Sequence, residues 1–260
     1  MPDTILIHEE NNLMTITLNR AEVHNAFNDD VIWELQEIFE DIARRENAPR
    51  AVILTGSARS FSAGADLNWM KKMVAFSEEE NREDSERLFD MIHSIYTCPV
   101  PVIARINGAA LGGGCGLIAA CDIAFSVKRA KFGFTEVRLG LVPAVISPFV
   151  REKIGIANCS RYFLTGQRFD AVTAQRIGLV NEVFEDPEEM DQAIDDLVYE
   201  LTQCAPEALA QCKVLIQGVS SKPVGELREF VASQIAKARV SSHGQEGMAS
   251  FFEKRKPNWT

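Results

Sequence analysis

The run NGAALGGGCGLIAACD at residues 107–122 constrains the fold most, because it places three consecutive glycines before an apolar, alanine-rich segment. The pattern predicts a helix that begins at the glycines. The first amide groups of a helix have no partner within it, and glycine has no side chain that would keep a ligand away from them. The start of this helix is therefore predicted to face the carbonyl or phosphate oxygen of a ligand.

Strands and helices alternate along the first two thirds of the chain. Residues 4–8 and 13–18 alternate apolar and polar side chains, so they predict a strand hairpin with its turn at 9–12. Strands covered on both faces are predicted for three short, continuously apolar segments, at 51–55, 100–106 and 123–127. Connections of helical length separate these strands. The pattern therefore predicts an α/β fold with mainly parallel strands and helices outside.

Residues suited to helix ends mark the helices between the strands. Asn28 or Asp29 can cap a helix that continues to about residue 46, and Ser77 with Glu80 forms a capping-box pattern. Two short helices that end at glycine are predicted at 161–165 and 171–177. A strand is then expected near 179–184.

From about residue 187 onward the pattern is helical throughout. A helical segment of this kind, added to an α/β core, is typical of a region that packs against neighbouring subunits. We therefore expect a core at residues 1–204 and a helical region at 205–260, with the boundary at the Cys204–Pro206 stretch.

Composition limits the classes of function. The chain has 260 residues, of which 46% are hydrophobic, so it can bury a full core without disulfides. Its six cysteines lie scattered through apolar segments, and its first residues lack the pattern of a signal peptide, so we expect a cytoplasmic protein. A formal net charge of −10 disfavours nucleic acid and anionic membranes as partners. A polyanionic ligand would need a local basic patch.

A second glycine-bearing turn occurs in the segment FSAGADLN, at residues 61–68. Gly64 permits an unusual backbone turn, and Asp66 is placed to cap the helix that follows it. The N–H group of Ala65 would then point outward. If it converges with the N–H group of Gly113 on one oxygen, the two form an oxyanion hole. Each loop taken alone is equally typical of an ordinary strand-to-helix turn.

Glu136 is the candidate base. It lies in the segment FGFTEVRLGL, between a short apolar stretch and an apolar run that contains glycine and proline. A carboxylate that faces a partly dry pocket has a raised pKa and is a better base. The alternative is a surface glutamate at the start of a helix.

Taken together, several motifs resemble the enoyl-CoA hydratase/isomerase (crotonase) superfamily. They are FSAGADL, NGAALGGGCGLIAACDIAF and FGFTEVRLGLVP, with LNRAEVHNAF near the beginning and EGMASFFEKRKPNW near the end. The resemblance implies a crotonase-like spiral of ββα units with a C-terminal helical trimerisation region. It also implies an acyl-CoA thioester as substrate and assembly as a homotrimer or homohexamer.

The resemblance assigns roles to individual residues. The thioester oxygen would lie between the N–H groups of Ala65 and Gly113, with Glu136 as the acid–base group. Lys254 or Lys256, from a neighbouring subunit or the same one, would meet the phosphates of coenzyme A. No cofactor is expected, because coenzyme A is part of the substrate, and no metal ligands are expected. The substrate and coenzyme A site would include Glu22, Val23, Asn25, Ala63, Asp66, Leu67, Asn68, Gly112 and Lys254.

The sequence departs from the family pattern at Gly116, where typical hydratases carry a first glutamate; Glu136 retains the second. The segments ADLNWMKKM and EVRLGLVPAVISPFV resemble hydratases of the methylglutaconyl-CoA type, in which glycine also occurs at this position. The leading hypothesis is hydration of a 2-enoyl-CoA, with 3-methylglutaconyl-CoA or another branched or carboxylated thioester as candidates. If the pocket has room, Gly116→Glu is expected to raise activity on crotonyl-CoA.

Three alternatives remain. An enoyl-CoA isomerase would need only Glu136, and a non-catalytic acyl-CoA binding protein would need no acid–base group. RNA binding occurs among relatives of this family, but the acidic balance of the chain argues against it.

Overall fold

Residues 3–220 and 222–259, which the computed structural model describes, contain ten strands and ten α-helices. The strands are β1 (Ile5–Glu10), β2 (Leu13–Leu18), β3 (Ala51–Gly56), β4 (Ser60–Ser62), β5 (Val102–Ile106), β6 (Ala109–Leu111), β7 (Ile123–Val127), β8 (Lys131–Gly133), β9 (Phe169–Asp170) and β10 (Glu182–Phe184). The helices are α1 (Asp29–Arg44), α2 (Leu67–Met73), α3 (Glu78–Tyr96), α4 (Gly113–Ala120), α5 (Ser147–Thr165), α6 (Ala171–Arg176), α7 (Pro187–Gln203), α8 (Pro206–Ser220), α9 (Arg228–Val240) and α10 (Ser242–Glu253).

The strands form two sheets. The larger sheet has the order β1-β2-β3-β5-β7-β10, and the smaller has the order β4-β6-β8-β9. Only the outer pairs β1–β2 and β8–β9 are antiparallel among the described pairs; the others are parallel. The prediction of mainly parallel strands is confirmed.

One ββα unit is repeated along the core. In β3–β4, β5–β6 and β7–β8 the first strand joins the larger sheet and the second joins the smaller one, and a helix follows. Successive units therefore stack side by side as turns of a spiral. The six residues of β3 are all buried, as expected for a continuously apolar strand covered on both faces.

Local signals place the hairpin and the first helices. The turn between β1 and β2 is confined to Asn11 and Asn12, with φ of 51° and 63°, because asparagine tolerates the left-handed region. Strand β1 therefore extends to Glu10, beyond the end of the strand that the sequence predicts at residues 4–8. Asn28 caps α1, and its side chain accepts the N–H of Val31. The capping box of Ser77 and Glu80 at the start of α3 is confirmed.

The helix predicted at 161–165 is not separate. It is the last part of α5, which begins at Ser147 and is interrupted at Gly155, where φ is 72° and ψ is 166°. Gly166 ends the helix in the left-handed conformation, as predicted. A glycine within the segment permits the kink, so two helical stretches follow one another without a loop between them.

The chain beyond β10 is helical, from α7 to α10. Lys213 attaches α8 to the core, since its Nζ donates to the Val100 carbonyl at 3.1 Å and to Asp122 Oδ2 at 2.6 Å. The division between residues 1–204 and 205–260 stays a prediction. Within the described residues, no helix has both the length and the apolar character needed to cross a membrane.

Candidate active site

The loop between β4 and α2 presents the N–H group of Ala65. Phe27 forms a parallel bridge with Ala65: the Phe27 N–H donates to the Gly64 carbonyl at 2.8 Å, and the Asp66 N–H donates to the Phe27 carbonyl at 3.0 Å. In such a bridge the central residue directs its own N–H away from the partner strand. The Ala65 N–H has no hydrogen-bond partner among the described residues.

The loop between β6 and α4 presents the N–H group of Gly113. Gly112 adopts φ 51° and ψ −120°, a conformation that a residue with a side chain rarely adopts, and α4 begins immediately after it. The Gly113 N–H, the first of the helix, likewise lacks a partner in the described part of the chain. The two loops touch, because a Cβ atom built on Gly64 would lie 3.1 Å from the Gly113 nitrogen.

Glu136 lies beside the second loop, at the start of a 3-10 turn, Glu136–Leu139, that follows β8. A Cβ atom built on Gly112 would lie 3.0 Å from Glu136 Oε1. The other carboxylate oxygen, Oε2, is buried and has no hydrogen-bond partner within the described residues. Burial raises the pKa of the Glu136 carboxyl, and a hydrogen bond from its own backbone N–H opposes this effect only in part.

These three groups follow three neighbouring strands of the smaller sheet. Ala65 comes after β4, Gly113 after β6 and Glu136 after β8, and these strands are parallel. Because the carboxyl ends of parallel strands meet at one edge of a sheet, the three residues converge there. They line one cavity of about 340 Å³.

The rest of the cavity is mainly apolar. Side chains of α2 and α3, including Trp69, Met70 and Leu88, form one wall, and residues 141–146 form another. Two carboxyl groups, of Glu136 and Asp84, lie in the lining. An apolar wall of this kind strengthens the interaction of the two amide donors with a developing negative charge.

The coenzyme A residues that are predicted between β2 and α1 differ in their exposure and in their hydrogen bonds. Glu22 is exposed and Val23 is half-buried, and both lie in a 3-10 turn, Ala21–Val23. Asn25 is buried, and its side-chain amide donates to the carbonyls of Ser57 and Ser60. The Asn25 side chain is thus engaged in holding the loop.

The predicted residues around α2 lie on both sides of the Ala65 amide. Leu67 and Asn68 are exposed, and Ala63 is half-buried. The carboxylate of Asp66 accepts the Asn68 N–H at 2.7 Å and pairs with Arg20 at 2.8 Å. Burial opposes its ionisation, but these hydrogen bonds lower the pKa of Asp66 overall. The Asp66 side chain is therefore engaged within the protein, and its backbone is engaged as well, since its N–H donates to Phe27 and its carbonyl accepts the Met70 N–H at 2.9 Å.

Lys254 is not among the residues that line the cavity. It ends α10 in a left-handed conformation with φ 55°, and it is exposed. Its helix packs against α8 and α9. Lys256 is also exposed, and neither lysine lines the cavity. The contact of Lys254 or Lys256 with the phosphates of coenzyme A stays a prediction.

Gly116 has no room for a side chain. It is buried within α4, and a Cβ atom built there would lie 2.3 Å from Ile146 Cγ2 and 2.9 Å from Ile146 Cβ. Ile146 itself is 3% exposed and lines the cavity. The expectation that Gly116→Glu could raise activity depended on space at this position, and the structure contradicts it.

Sequence reasoning missed Phe27, Arg20 and Ile146, which contact the site residues. Phe27 and Ile146 are apolar residues in loops, and nothing in a single sequence distinguishes them from core residues. Arg20 follows β2 as an ordinary charged residue, and only its partner, Asp66, carries a recognisable capping signal.

Comparison with known proteins identifies the family. The family model described as "Enoyl-CoA hydratase/isomerase" matches residues 8–260. The short-chain-enoyl-CoA hydratase of Clostridium acetobutylicum is 30% identical, over 98% of this chain and 96% of its own. Among solved structures, an enoyl-CoA hydratase from Shewanella pealeana has a TM-score of 0.94 at 34% identity, and covers 99% of this chain and 96% of its own. AtuE of Pseudomonas aeruginosa also has a TM-score of 0.94, at 33% identity, and covers 99% of both chains. The chain therefore belongs to the enoyl-CoA hydratase/isomerase family of enzymes and has the crotonase fold.

Proposed function

We propose that this protein adds water reversibly across the C2–C3 double bond of a 2-enoyl-CoA thioester. The observation that carries the proposal is the meeting of three groups in one apolar cavity: two unpartnered backbone amides from separate loops and one carboxylate with a free, buried oxygen. Relatives with hydratase names at similar length support the reaction type.

The amides of Ala65 and Gly113 would bind the thioester oxygen. Addition of water at C3 shifts negative charge onto this oxygen as an enolate forms, so the two N–H groups bind the transition state more strongly than the substrate. The start of α4 adds its partial positive charge at the Gly113 amide. Loss of one such donor typically costs roughly 2.7–4 kcal/mol of transition-state stabilisation.

Glu136 would carry the proton in both half-steps. Its carboxylate takes a proton from water while the water oxygen bonds to C3, and the resulting carboxylic acid returns a proton to C2 of the enolate. Both transfers occur on the same face, which gives syn addition and leaves the carboxylate as it was. The raised pKa of Glu136 suits a group that must act first as a base and then as an acid.

We also propose that the acyl group of the substrate is branched or carboxylated. The resemblance of the segments around Trp69 and Ile146 to methylglutaconyl-CoA hydratases favours a branched or carboxylated thioester such as 3-methylglutaconyl-CoA. Trp69, Met70 and Ile146 all line the cavity, which supports a contact between these segments and the acyl chain. Coenzyme A would extend along Glu22, Val23 and the backbone of residues 63–68 and Gly112.

A panel of straight, branched and carboxylated enoyl-CoA thioesters tests the substrate class by the ratio of kcat/KM values. The runner-up function is a double-bond isomerase, because Gly116 supplies no second carboxylate and Glu136 is the carboxylate that lies beside the amide donors. Reaction in ¹⁸O-labelled water separates the two, since a hydratase incorporates the label at C3 and an isomerase does not. Binding of these thioesters without any turnover would contradict both functions.

A further inference from the structure

Phe27 contacts both loops that supply the amide donors. Its backbone forms the two hydrogen bonds that flank Ala65, to the Gly64 carbonyl at 2.8 Å and from the Asp66 N–H at 3.0 Å. The position of the Ala65 N–H is therefore tied to the backbone of Phe27.

The ring of Phe27 rests on the other loop. A Cβ atom built on Gly113 would lie 2.3 Å from Phe27 Cζ and 3.0 Å from Cε1, so the ring occupies the space that a side chain at Gly113 would need. On its other side the ring packs against Trp69, with ring centroids 6.3 Å apart. Phe27 is 1% exposed. The ring thus lies between the start of α4 and Trp69 of α2, at the wall of the cavity.

Arg20 holds the Phe27 segment and the Ala65 loop together. Its Nη2 pairs with Asp66 Oδ2 at 2.8 Å, and its Nη1 donates to the carbonyl of Ala26 at 2.5 Å. The two side chains of this ion pair are 17% and 4% exposed, so solvent screens it weakly. Arg20 therefore fixes the backbone at Ala26, the residue directly before Phe27.

We propose that Phe27 is a positioning residue that sets the spacing between the Ala65 and Gly113 amides, its backbone fixing one donor and its ring the other. This inference rests on the proposed function, because it requires that both amides bind the thioester oxygen. Phe27 supplies no polar side-chain atom to the reaction. Its effect comes from geometry, since displacement of a donor by a fraction of an ångström weakens the stabilisation of the enolate.

The first test shortens the side chain and keeps the backbone bonds. Phe27→Leu is expected to lower kcat by about tenfold while KM for the same thioester changes by less than about threefold. Phe39→Leu is the matched control: Phe39 is 0% exposed, lies in α1 and does not line the cavity. Phe27→Met is a milder second variant, expected to lie between the wild type and Phe27→Leu. An equal loss of kcat in Phe39→Leu at the same change in Tm would overturn the proposal.

The second test reads the amide donors directly. In a Glu136→Gln background, which blocks turnover, the carbonyl stretch of bound [1-¹³C]crotonyl-CoA is measured by infrared difference spectroscopy. The shift to lower frequency is expected to be smaller in Phe27→Leu and unchanged in Phe39→Leu. An identical shift with and without Phe27→Leu would contradict the inference alone, whereas the absence of any shift when Phe27 is intact would contradict the proposed oxyanion hole itself.

The third test exploits the contact between the ring and Gly113. Gly113→Ala alone adds a methyl group where the ring lies, so it is expected to lower kcat. In the Phe27→Leu background the methyl group has room, and the double variant is expected to be more active than either single variant. Losses of kcat that simply multiply in the double variant would show that the ring and Gly113 do not act together, and would overturn the proposal.

Discussion

The burial of the Glu136 carboxyl favours the proposed reaction and lowers the stability of the folded state. Burial removes the hydration of the Glu136 carboxylate, and the hydrogen bond from its own backbone N–H compensates only in part because Oε2 has no partner among the described residues, which is why its pKa is raised. A carboxyl whose pKa is higher in the folded than in the unfolded state destabilises the folded state when it is ionised in both. This penalty is present above the folded-state pKa and decreases as the pH falls through it.

Glu136→Gln is therefore expected to have opposite effects on activity and stability. The variant should lose about 10²–10⁴-fold in kcat because a glutamine amide cannot accept and return the proton beside the two amide donors. Its Tm at neutral pH should exceed that of the wild type, and the difference should shrink as the pH falls below the raised pKa. Activity assays and thermal unfolding across pH measure both. A variant that is inactive and also less stable at neutral pH would contradict this account of the carboxylate.

The pH dependence of the rate is the second prediction at this scale. Glu136 must be ionised to accept a proton, so kcat/KM is expected to fall on the acid side with a midpoint above the usual range of a glutamate. The profile is measured with a neutral acyl thioester. An acid limb at or below the ordinary glutamate range would place the base at another residue.

Gly116 permits a third test. Gly116→Glu is expected to destabilise the protein by about 3 kcal/mol, because its Cβ would overlap with Ile146 and its charge would be buried. Adding Ile146→Ala removes the overlap, so the double variant should be more stable than the sum of the single effects predicts. Gly225→Glu is the control, since a Cβ there meets no atom within 4 Å. Denaturant unfolding of the four variants measures the coupling, and additive losses would contradict the proposed overlap.

The residues of the site could be predicted where the signal is local. Ala65, Gly113 and Glu136 lie in motifs whose glycines and caps identify the turn or strand end, and the structure brings all three to one cavity. The space at Gly116 could not be predicted, because Ile146 reaches it from a segment that is distant in sequence. The contacts of Phe27 with two loops are hidden for the same reason.

Among the strands and helices, the sequence pattern predicts the longer ones and does not predict the shortest. The six-residue strand β3 and the sixteen-residue helix α1 have enough residues for a pattern of burial to be recognised. The strands β4, β6 and β8 have three residues each, which is too short for any periodicity, so the residue pattern does not predict the smaller sheet and only the family resemblance implies a second strand in each unit. Its existence depends on pairing between units of the repeat.

The attachment of α8 gives a prediction at this scale. Lys213→Met removes the partner of Asp122 and leaves a half-buried carboxylate with fewer hydrogen bonds, so the free energy of unfolding should fall by about 2 kcal/mol. Amide hydrogen exchange should accelerate in α8 more than in β3. Lys237→Met in α9 is the control, because Lys237 is exposed. Equal exchange rates in wild type and Lys213→Met would mean that the helix is held by its apolar contacts alone.

For the whole molecule, the surface of the last helices is informative. Val240, Phe251 and Phe252 are 77%, 79% and 78% exposed, which is unusual for large apolar side chains close together in the chain. These residues lie in the region that the sequence predicts as an oligomerisation region. We expect a homotrimer or homohexamer in which this surface is covered.

Light scattering of purified protein tests the assembly. Phe251→Glu with Phe252→Glu is expected to reduce the measured mass toward that of a 28.9 kDa monomer, because charged side chains cannot be buried at such an interface without a partner. Trp33→Glu is the control, since Trp33 is also exposed, at 66%, but lies in α1. A wild-type mass of one chain would contradict the prediction of an oligomer.

The arrangement of Ala65, Gly113 and Glu136 behind three adjacent parallel strands has a consequence for how such a protein can change. Neighbouring strands are held about 4.8 Å apart by their backbone ladder, so the ladder brings the reacting groups to one edge of the sheet, and contacts such as those of Phe27 then set the spacing of the two amides. Longer crossovers leave the pairing of these strands intact, whereas one residue inserted between a strand and its reacting group displaces that group relative to the other two. Changes of length are thus more easily tolerated in the long connections than in the few residues after each short strand.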